Sequence, residues 1–259
     1  MTKIKIKKIL NKKNKIPIIC LTSYSKSVTQ IVDKYCDIIL VGDSLGMVLY
    51  GMKSTRNVSI ETMILHCKTV KKFAKKSLIV CDMPYKTYKN KFVAYKNACK
   101  IMTQTNCDAV KLEGAGKVID IIKYLTKKGI PVVAHLGLLP QTSKNFKVKG
   151  KNNLQKKRIF NEAIEISKSG AFAVVLECIV PDLAKKITKN ISIPTIGIGA
   201  SQFCDGQILV SDDMLGLSDF NPKFVKKYSN LRKVIDNSVK KYVNDVKLRK
   251  FPFIQNTYK

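Results

Sequence analysis

Charged and polar side chains recur after short apolar segments along this chain of 259 residues. The first example is Asp43-Ser44, which follows the apolar segment ending at Val41. The whole set lies at or near the C-terminal ends of predicted strands: Asp43, Ser44, Asp82, Lys111, Glu113, His135 and Glu177. In a barrel of parallel strands these ends open on one face, where active sites are built. The recurrence therefore predicts one active site assembled from residues that are far apart in sequence.

The carboxylates of Asp43, Asp82 and Glu113 form a candidate metal site. Carboxylates that converge without partners repel one another, and a divalent cation between them would relieve the repulsion. Ligands that are all oxygen atoms favour magnesium or a similar hard ion over zinc. Any single member could instead cap a helix or belong to a loop, so the metal prediction depends on the combination.

Lys111 and Glu113 lie two positions apart in one predicted strand, so their side chains should share a face and point into the barrel mouth. A buried lysine there could bind a substrate carboxylate or stabilise a developing oxyanion. The alternative is a structural ion pair between Lys111 and Glu113.

Glu177 follows the apolar segment from Ala171 to Leu176, and His135 ends a predicted strand. A carboxylate in that position could act as a general base near neutral pH, or could be the partner of a lysine. His135 is either a site residue or a core histidine, whereas His66, on a predicted helix, is interpreted as structural. Gly197-Ile198-Gly199 could bind an anion through backbone amides, although such a short motif is a weak signal.

Eight apolar segments alternate with helical patterns, which predicts an α/β fold, a single (β/α)8 barrel of the TIM type. The predicted strands are Pro17–Thr22, Asp37–Val41, Ser77–Cys81, Asp108–Leu112, Pro131–Ala134, Phe172–Leu176, Pro194–Ile198 and Gln207–Ser211. Residues 1–15 are interpreted as a basic N-terminal arm, or a short helix, outside the core, and residues 16–259 as the catalytic barrel domain. A final helix is predicted from Pro222 to Val246, with these residues facing inward: Val225, Tyr228, Leu231, Ile235, Val239 and Tyr242.

The formal net charge of +30 raises the hypothesis of nucleic-acid binding. Lysine supplies almost all of it, and the only arginines are Arg56, Arg158, Arg232 and Arg249. Because arginine is the residue that reads bases and phosphates in bidentate fashion, and because the lysines are spread over the chain, a solvated surface is favoured.

The eight cysteines form no Cys-x-x-Cys pair and are interpreted as buried, reduced thiols of a cytosolic protein. We recognise neither a signal peptide nor an apolar stretch of about 20 residues that could span a membrane.

These motifs, in this order, resemble the ketopantoate hydroxymethyltransferase family. The matching segments are Val41–Met47 (VGDSLGM), Asp82–Pro84 (DMP), Val110–Gly114 (VKLEG), His135–Leu138 (HLGL) with Pro140-Gln141, Leu176–Cys178 (LEC), Ile193–Ala200 (IPTIGIGA), Asp205–Val210 (DGQILV) and Pro222–Phe224 (PKF). The chain departs from the family pattern at Ser25 and in the loop Thr142–Phe146.

The resemblance implies transfer of a hydroxymethyl group from 5,10-methylenetetrahydrofolate to 3-methyl-2-oxobutanoate through a metal-stabilised enolate. The product would be 2-dehydropantoate, in pantothenate biosynthesis. It assigns Mg²⁺ to Asp43, Asp82 and Glu113, and the role of proton acceptor to Glu177. It assigns substrate contacts to Asp43, Ser44, Asp82, Lys111 and His135. It also implies a cytoplasmic homo-oligomer, commonly a decamer, with neither nucleic acid nor membrane as partner.

Three other readings remain open at this point. A lyase or mutase of the related enolate-forming barrels is one, although the Lys-Cys-Gly-His run common in those enzymes is absent from this sequence. A basic nucleic-acid-binding protein is the second. The third is an enzyme that has lost activity, although every matched site residue is present.

Overall fold

A computed structural model describes residues 2–143 and 146–258. Contacts within the chain group these residues into two compact units, residues 1–210 and residues 211–259, which we describe separately. In the loop Thr142–Phe146, whose sequence departs from the family pattern, Lys144 and Asn145 lie outside the described residues.

The first unit is a closed barrel of eight parallel strands arranged in chain order, with β8 paired to β1. The strands are β1 (Ile18–Thr22), β2 (Ile38–Val41), β3 (Leu78–Asp82), β4 (Ala109–Glu113), β5 (Val132–Gly137), β6 (Ala173–Glu177), β7 (Thr195–Ile198) and β8 (Gly206–Leu209). The predicted (β/α)8 barrel is confirmed, because parallel strands buried on both faces give the continuous apolar segments seen in the sequence. The largest difference is in β5, which continues to Gly137, so that His135 lies within the strand and not at its end.

Helices alternate with these strands around the barrel. They are α1 (Thr2–Asn11), α2 (Lys26–Val32), α3 (Leu45–Val48), α4 (Ile60–Phe73), α5 (Lys91–Thr105), α6 (Lys117–Lys127), α7 (Asn153–Lys168) and α8 (Pro181–Asn190), with a short 3-10 helix at Thr55–Asn57. Side-chain caps start several of them, as where Ser59 accepts a bond from Thr62 N at the start of α4.

The apolar residues of this unit form two buried clusters. The larger lies between the strands and the surrounding helices, and the smaller fills the barrel interior. The interior residues Cys20, Ile38 and Val133 line a small space that also borders Lys111. The side chain of Lys111 therefore borders an apolar interior.

Residues 2–11, within the segment interpreted as an arm, form α1 in the same unit as the barrel. Ile9 is buried in the smaller cluster, so this segment contributes to the core instead of lying outside it. Two lysines directly after α1 join the segment to acids that flank strands, with Lys12 Nζ 2.6 Å from Asp37 Oδ1 and Lys13 Nζ 3.0 Å from Asp205 Oδ2.

The second unit contains the helices α9 (Ser211–Leu215) and α10 (Leu231–Lys247) and a 3-10 helix at Ile254–Asn256. The prediction of one helix from Pro222 is wrong: α10 starts nine residues later, after Asn230, whose side chain accepts a bond from Lys233 N. The prediction that its apolar residues face inward is also wrong, since Ile235, Val239 and Tyr242 are all exposed. An apolar face at helical spacing shows which residues could be covered, but not that anything covers them.

All eight cysteines are free thiols, and all but Cys99 are buried, as the sequence indicated. Among the described residues, no helix combines the length and the apolar composition needed to cross a bilayer.

Candidate active site

Asp43 and Ser44 follow β2 at the carboxyl end of the barrel. The backbone N–H of Asp43 donates to Asp82 Oδ2 at 3.1 Å, and Oδ2 of Asp43 accepts a bond of 2.7 Å from Gln141 Nε2. Burial raises the pKa of Asp43 well above its ordinary value, and the nearby carboxylates of Asp82 and Glu113 raise it further. Ser44 Oγ lies 2.8 Å from the hydroxyl of Tyr24.

Lys111 and Asp82 are register partners on the neighbouring strands β4 and β3. Their Nζ and Oδ1 atoms are 2.9 Å apart, and both side chains are buried. Burial alone would lower the pKa of Lys111, but Asp82, Glu113 and Asp43 more than offset this and raise it, so the side chain remains an ammonium ion. The sequence suggested an ion pair between Lys111 and Glu113 of the same strand, whereas the structure pairs Lys111 with Asp82 of the neighbouring strand.

His135 lies between two carboxylates. Its Nδ1 is 3.5 Å from Glu113 Oε1, and its Nε2 is 3.3 Å from Glu177 Oε2. Burial lowers the pKa of His135, but Glu113 and Glu177 outweigh burial and raise it to about 9. The ring is thus an imidazolium at neutral pH. Neither ring nitrogen has an aligned hydrogen bond within the described residues, so charge attraction is the main interaction.

Glu177 is the last residue of β6, and its side chain is 13% exposed, compared with 3% for those of Asp82 and Glu113. Of these three acids it is the one best able to reach a bound molecule. Its partner among the described residues is His135, not a lysine as one reading of the sequence suggested.

Gln141 and Tyr88 join this group, although the sequence gave neither a role. Gln141 follows β5, is 1% exposed and contacts both Asp43 and Glu113. Tyr88 donates its hydroxyl to Oε1 of Gln141. The only signal in the sequence was the position of Gln141 within a motif of the resemblance, which does not indicate what an amide does there.

The charges favour a cation in this group, but the ligand geometry is incomplete. Among the described residues, the cationic groups that pair with the acids Asp43, Asp82, Glu113 and Glu177 are Lys111 and His135. Asp43 and Asp82 adjoin, whereas Glu113 contacts Gln141 N and His135. In the part of the chain that the structure describes, no three acidic, histidine or cysteine side chains are arranged to hold one ion. The oxygen donors of the two aspartates fit a hard divalent cation, and the three-carboxylate set stays a prediction.

Comparison with known proteins gives one family. Residues 3–253 match the family model described as ketopantoate hydroxymethyltransferase. A 3-methyl-2-oxobutanoate hydroxymethyltransferase of Pelagibacter ubique is 52% identical over 255 residues, which cover 97% of this chain and 99% of that protein. Its counterpart in Rhizobium etli is 48% identical over 248 residues, covering 94% and 91% of the two chains.

Solved structures show the same barrel in proteins of distant sequence. A phosphonopyruvate hydrolase has a TM-score of 0.65 at 10% identity, covering 98% of this chain and 91% of its own. A 2,3-dimethylmalate lyase has a TM-score of 0.63 at 10% identity, covering 98% and 87%. At this identity the likeness concerns the fold alone, because one fold hosts many chemistries.

Proposed function

The chain belongs to the ketopantoate hydroxymethyltransferase family, and from this premise we propose how its site carries out hydroxymethyl transfer. The acceptor is 3-methyl-2-oxobutanoate, the donor is 5,10-methylenetetrahydrofolate, and the product is 2-dehydropantoate, an intermediate of pantothenate biosynthesis. The family relationship supports the reaction. The arrangement of charges at the barrel mouth supports the mechanism.

The proton at C3 of the oxo acid is removed by Glu177. Its carboxylate is more exposed than those of Asp82 and Glu113, and the imidazolium of His135 at 3.3 Å holds it in place. Breaking the C3–H bond transfers the proton to Glu177 and leaves an enolate. The enolate carbon then bonds to the one-carbon unit carried by the folate. The two carbon–nitrogen bonds to the folate break, and water supplies the product hydroxyl. The two folate nitrogens take up two protons, one from water and one that replaces the C3 proton held by Glu177, so that tetrahydrofolate leaves and the base is regenerated.

Lys111 stabilises the negative charge that develops on the oxo acid. Its ammonium group is buried, and a fixed charge in a buried site acts on an oxyanion more strongly than in water. Asp43, Ser44, Asp82 and His135 complete the proposed contacts to the oxo acid.

A divalent cation, which we propose to be Mg²⁺, would be held by Asp43 and Asp82, with Glu113 as the third carboxylate. Such an ion polarises the 2-oxo group and makes the neighbouring C–H more acidic. Burial raises the pKa of Asp43, and repulsion from Asp82 and Glu113 raises it further; the repulsion supports this assignment, because a cation would relieve it.

One observation carries the proposal: an accessible glutamate, a buried lysine and two adjoining aspartates meet at one end of a barrel whose sequence belongs to this family. The test is an assay of oxo-acid consumption and 2-dehydropantoate formation, with and without 5,10-methylenetetrahydrofolate, and with Mg²⁺ or a chelator. We expect product only when both the folate and the ion are present. Cleavage of a carbon–carbon bond without folate would instead favour a lyase of the related barrels.

On the basis of the same family relationship, we also propose a cytoplasmic homo-oligomer, with a decamer as the expected assembly. Light scattering of the purified protein tests the assembly, and a monomer in solution would contradict it. Fractionation of the source cells tests the location.

A further inference from the structure

Gln141 uses every polar group of its side chain inside the candidate site. The amide nitrogen Nε2 donates to Asp43 Oδ2 at 2.7 Å and to the carbonyl oxygen of Met83 at 3.0 Å. A primary amide has two N–H groups, and both are therefore occupied. The amide oxygen accepts the hydroxyl of Tyr88.

Asp43 and the Met83 carbonyl determine which way the amide points, and the Tyr88 hydroxyl pairs with the amide oxygen in that orientation. If the amide were turned over, its oxygen would face Asp43 Oδ2 and the Met83 carbonyl, which are both acceptors, and its nitrogen would face the Tyr88 hydroxyl. Two acceptor–acceptor contacts would then replace two hydrogen bonds in a buried place. The observed orientation, with a donor against Asp43, is the one that pairs every group.

The backbone of Gln141 is held as firmly as its side chain. Its N–H donates to Glu113 Oε2 at 3.1 Å, and its carbonyl oxygen accepts from Arg56 Nε at 2.8 Å. Gln141, a single residue in the loop after β5, thus bonds both Asp43, which follows β2, and Glu113, which ends β4.

We propose that Gln141 is a positioning residue, its amide oxygen paired with Tyr88, that holds Asp43 and Glu113 in place for the cation and the oxo acid. This inference rests on the proposed function, because Gln141 can be a positioning residue only if Asp43 and Glu113 have the roles proposed for them there. Neighbouring groups that orient metal ligands typically contribute 10- to 100-fold to affinity or activity.

Two variants test the inference. Gln141→Met retains the length of the side chain but can neither donate a hydrogen bond to Asp43 nor accept one from Tyr88. Tyr88→Phe removes the hydroxyl that pairs with the amide oxygen and that also lies 3.4 Å from the backbone nitrogen and from the carbonyl oxygen of Glu113. We expect Gln141→Met to weaken the binding of Mn²⁺ to the substrate-free protein by about 10- to 100-fold, measured from the electron paramagnetic resonance signal of the free ion. Tyr88→Phe should weaken it in the same direction by a smaller factor.

Activity provides a second measurement. At low Mg²⁺, kcat/KM of Gln141→Met should fall by the same order as the Mn²⁺ affinity, and high Mg²⁺ should restore most of it. Gln207→Met is the matched control, because the amide of Gln207 donates to the Ser201 carbonyl and contacts none of the site acids. That variant should retain the parent values of kcat/KM and Mn²⁺ affinity.

The results separate this inference from the proposed function. Parent values in both Gln141→Met and Tyr88→Phe would overturn the inference, as would a loss of kcat/KM that is equal at all Mg²⁺ concentrations with Mn²⁺ affinity unchanged. If Gln141→Met does not fold, Tyr88→Phe alone decides. Normal Mn²⁺ binding and turnover in Asp43→Asn would instead contradict the proposed site itself.

Discussion

Nε2 of His135 lies 3.3 Å from Oε2 of Glu177, the residue proposed to remove the substrate proton. The other ring nitrogen faces Glu113 at 3.5 Å. A single imidazolium therefore joins the proposed base to a proposed ligand of the cation. Glu113 and His135 are register partners on adjacent strands, so the pairing of β4 with β5 fixes this arrangement.

Glu177→Gln should lose proton removal while retaining the fold. The amide cannot accept the C3 proton, and removing a general base typically lowers the rate by about 10²- to 10⁴-fold. The measurement is exchange of the C3 proton of 3-methyl-2-oxobutanoate in D₂O, followed by NMR without folate, so that deprotonation is observed separately from transfer. Glu61→Gln, on an exposed stretch of α4, is the control and should exchange at the parent rate. Parent-like exchange in Glu177→Gln would remove Glu177 from the role of base.

Lys111→Met should destabilise the barrel strongly. It leaves Asp82 and its neighbouring acids buried without their ammonium partner, and breaking a buried ion pair in this way costs about 3–5 kcal/mol. Urea unfolding measures the change in the free energy of unfolding. Lys100→Met is the matched control, since its pair with Glu61 is exposed and should contribute less than about 1 kcal/mol. Equal losses in the two variants would show that burial does not decide the strength of these pairs.

The sequence predicted the fold, and which charged residues lie together at one end of the barrel, better than it predicted their partners. Continuous apolar segments, each followed by a polar residue, are enough to indicate a parallel barrel with its chemistry at one end. The sequence of a single strand does not show which side chain on a neighbouring strand will pair with its own. Lys111 and Glu113 are about 7 Å apart along one strand, whereas neighbouring strands are about 4.8 Å apart, so Lys111 pairs with Asp82 of β3 instead.

Two other features were beyond the reach of the sequence pattern. Gln141 bonds residues at the carboxyl ends of three strands, β2, β3 and β4, and an uncharged amide gives no sequence pattern of its own. The apolar residues of α10 have the spacing of a buried face, yet Ile235 and Val239 are exposed. Helical spacing in the sequence shows which residues share a face, but not whether another element packs against that face.

Mg²⁺ should stabilise the parent protein against heat and should not stabilise Asp43→Asn. An ion that binds only the folded state, present at 100 times its Kd, adds about 2.7 kcal/mol. For a protein of this size that corresponds to a rise of about 5–10 °C in Tm. Thermal melts with Mg²⁺ and with chelator measure it. Asp120→Asn, an exposed acid on α6, should show the parent shift. The same rise in Asp43→Asn as in the parent would contradict a cation site at Asp43.

Asp108→Asn should lower stability at neutral pH but not in acid. Burial raises the pKa of Asp108, but bonds from Ile79 N, Lys71 and Thr2 lower it below 3.8 overall. The folded state therefore favours the carboxylate, and its contribution is complete well above pH 3.8 and lost as the pH falls through the folded pKa. We expect a loss of about 1.5–3 kcal/mol at pH 7 that shrinks below about pH 4, measured by urea unfolding across this range. A loss that does not change with pH would contradict a charged Asp108.

Gly137→Ala should impair catalysis through the backbone of Glu177. Gly137 has φ +99°, and a Cβ there would collide with the Glu177 carbonyl oxygen and lie 2.7 Å from Cγ1 of Ile179. Because Gly137 and Glu177 are register partners, the collision must displace β6 where it carries the proposed base. A displacement of about 1 Å can cost about 100-fold in rate, and the C3 exchange assay measures it. Gly129→Ala is the control: its φ is +82° but nothing lies within 4 Å of the new atom, so only the backbone cost of about 1–2 kcal/mol applies. Equal exchange rates in the two variants would show that Gly137 matters for backbone conformation alone and not for the position of Glu177.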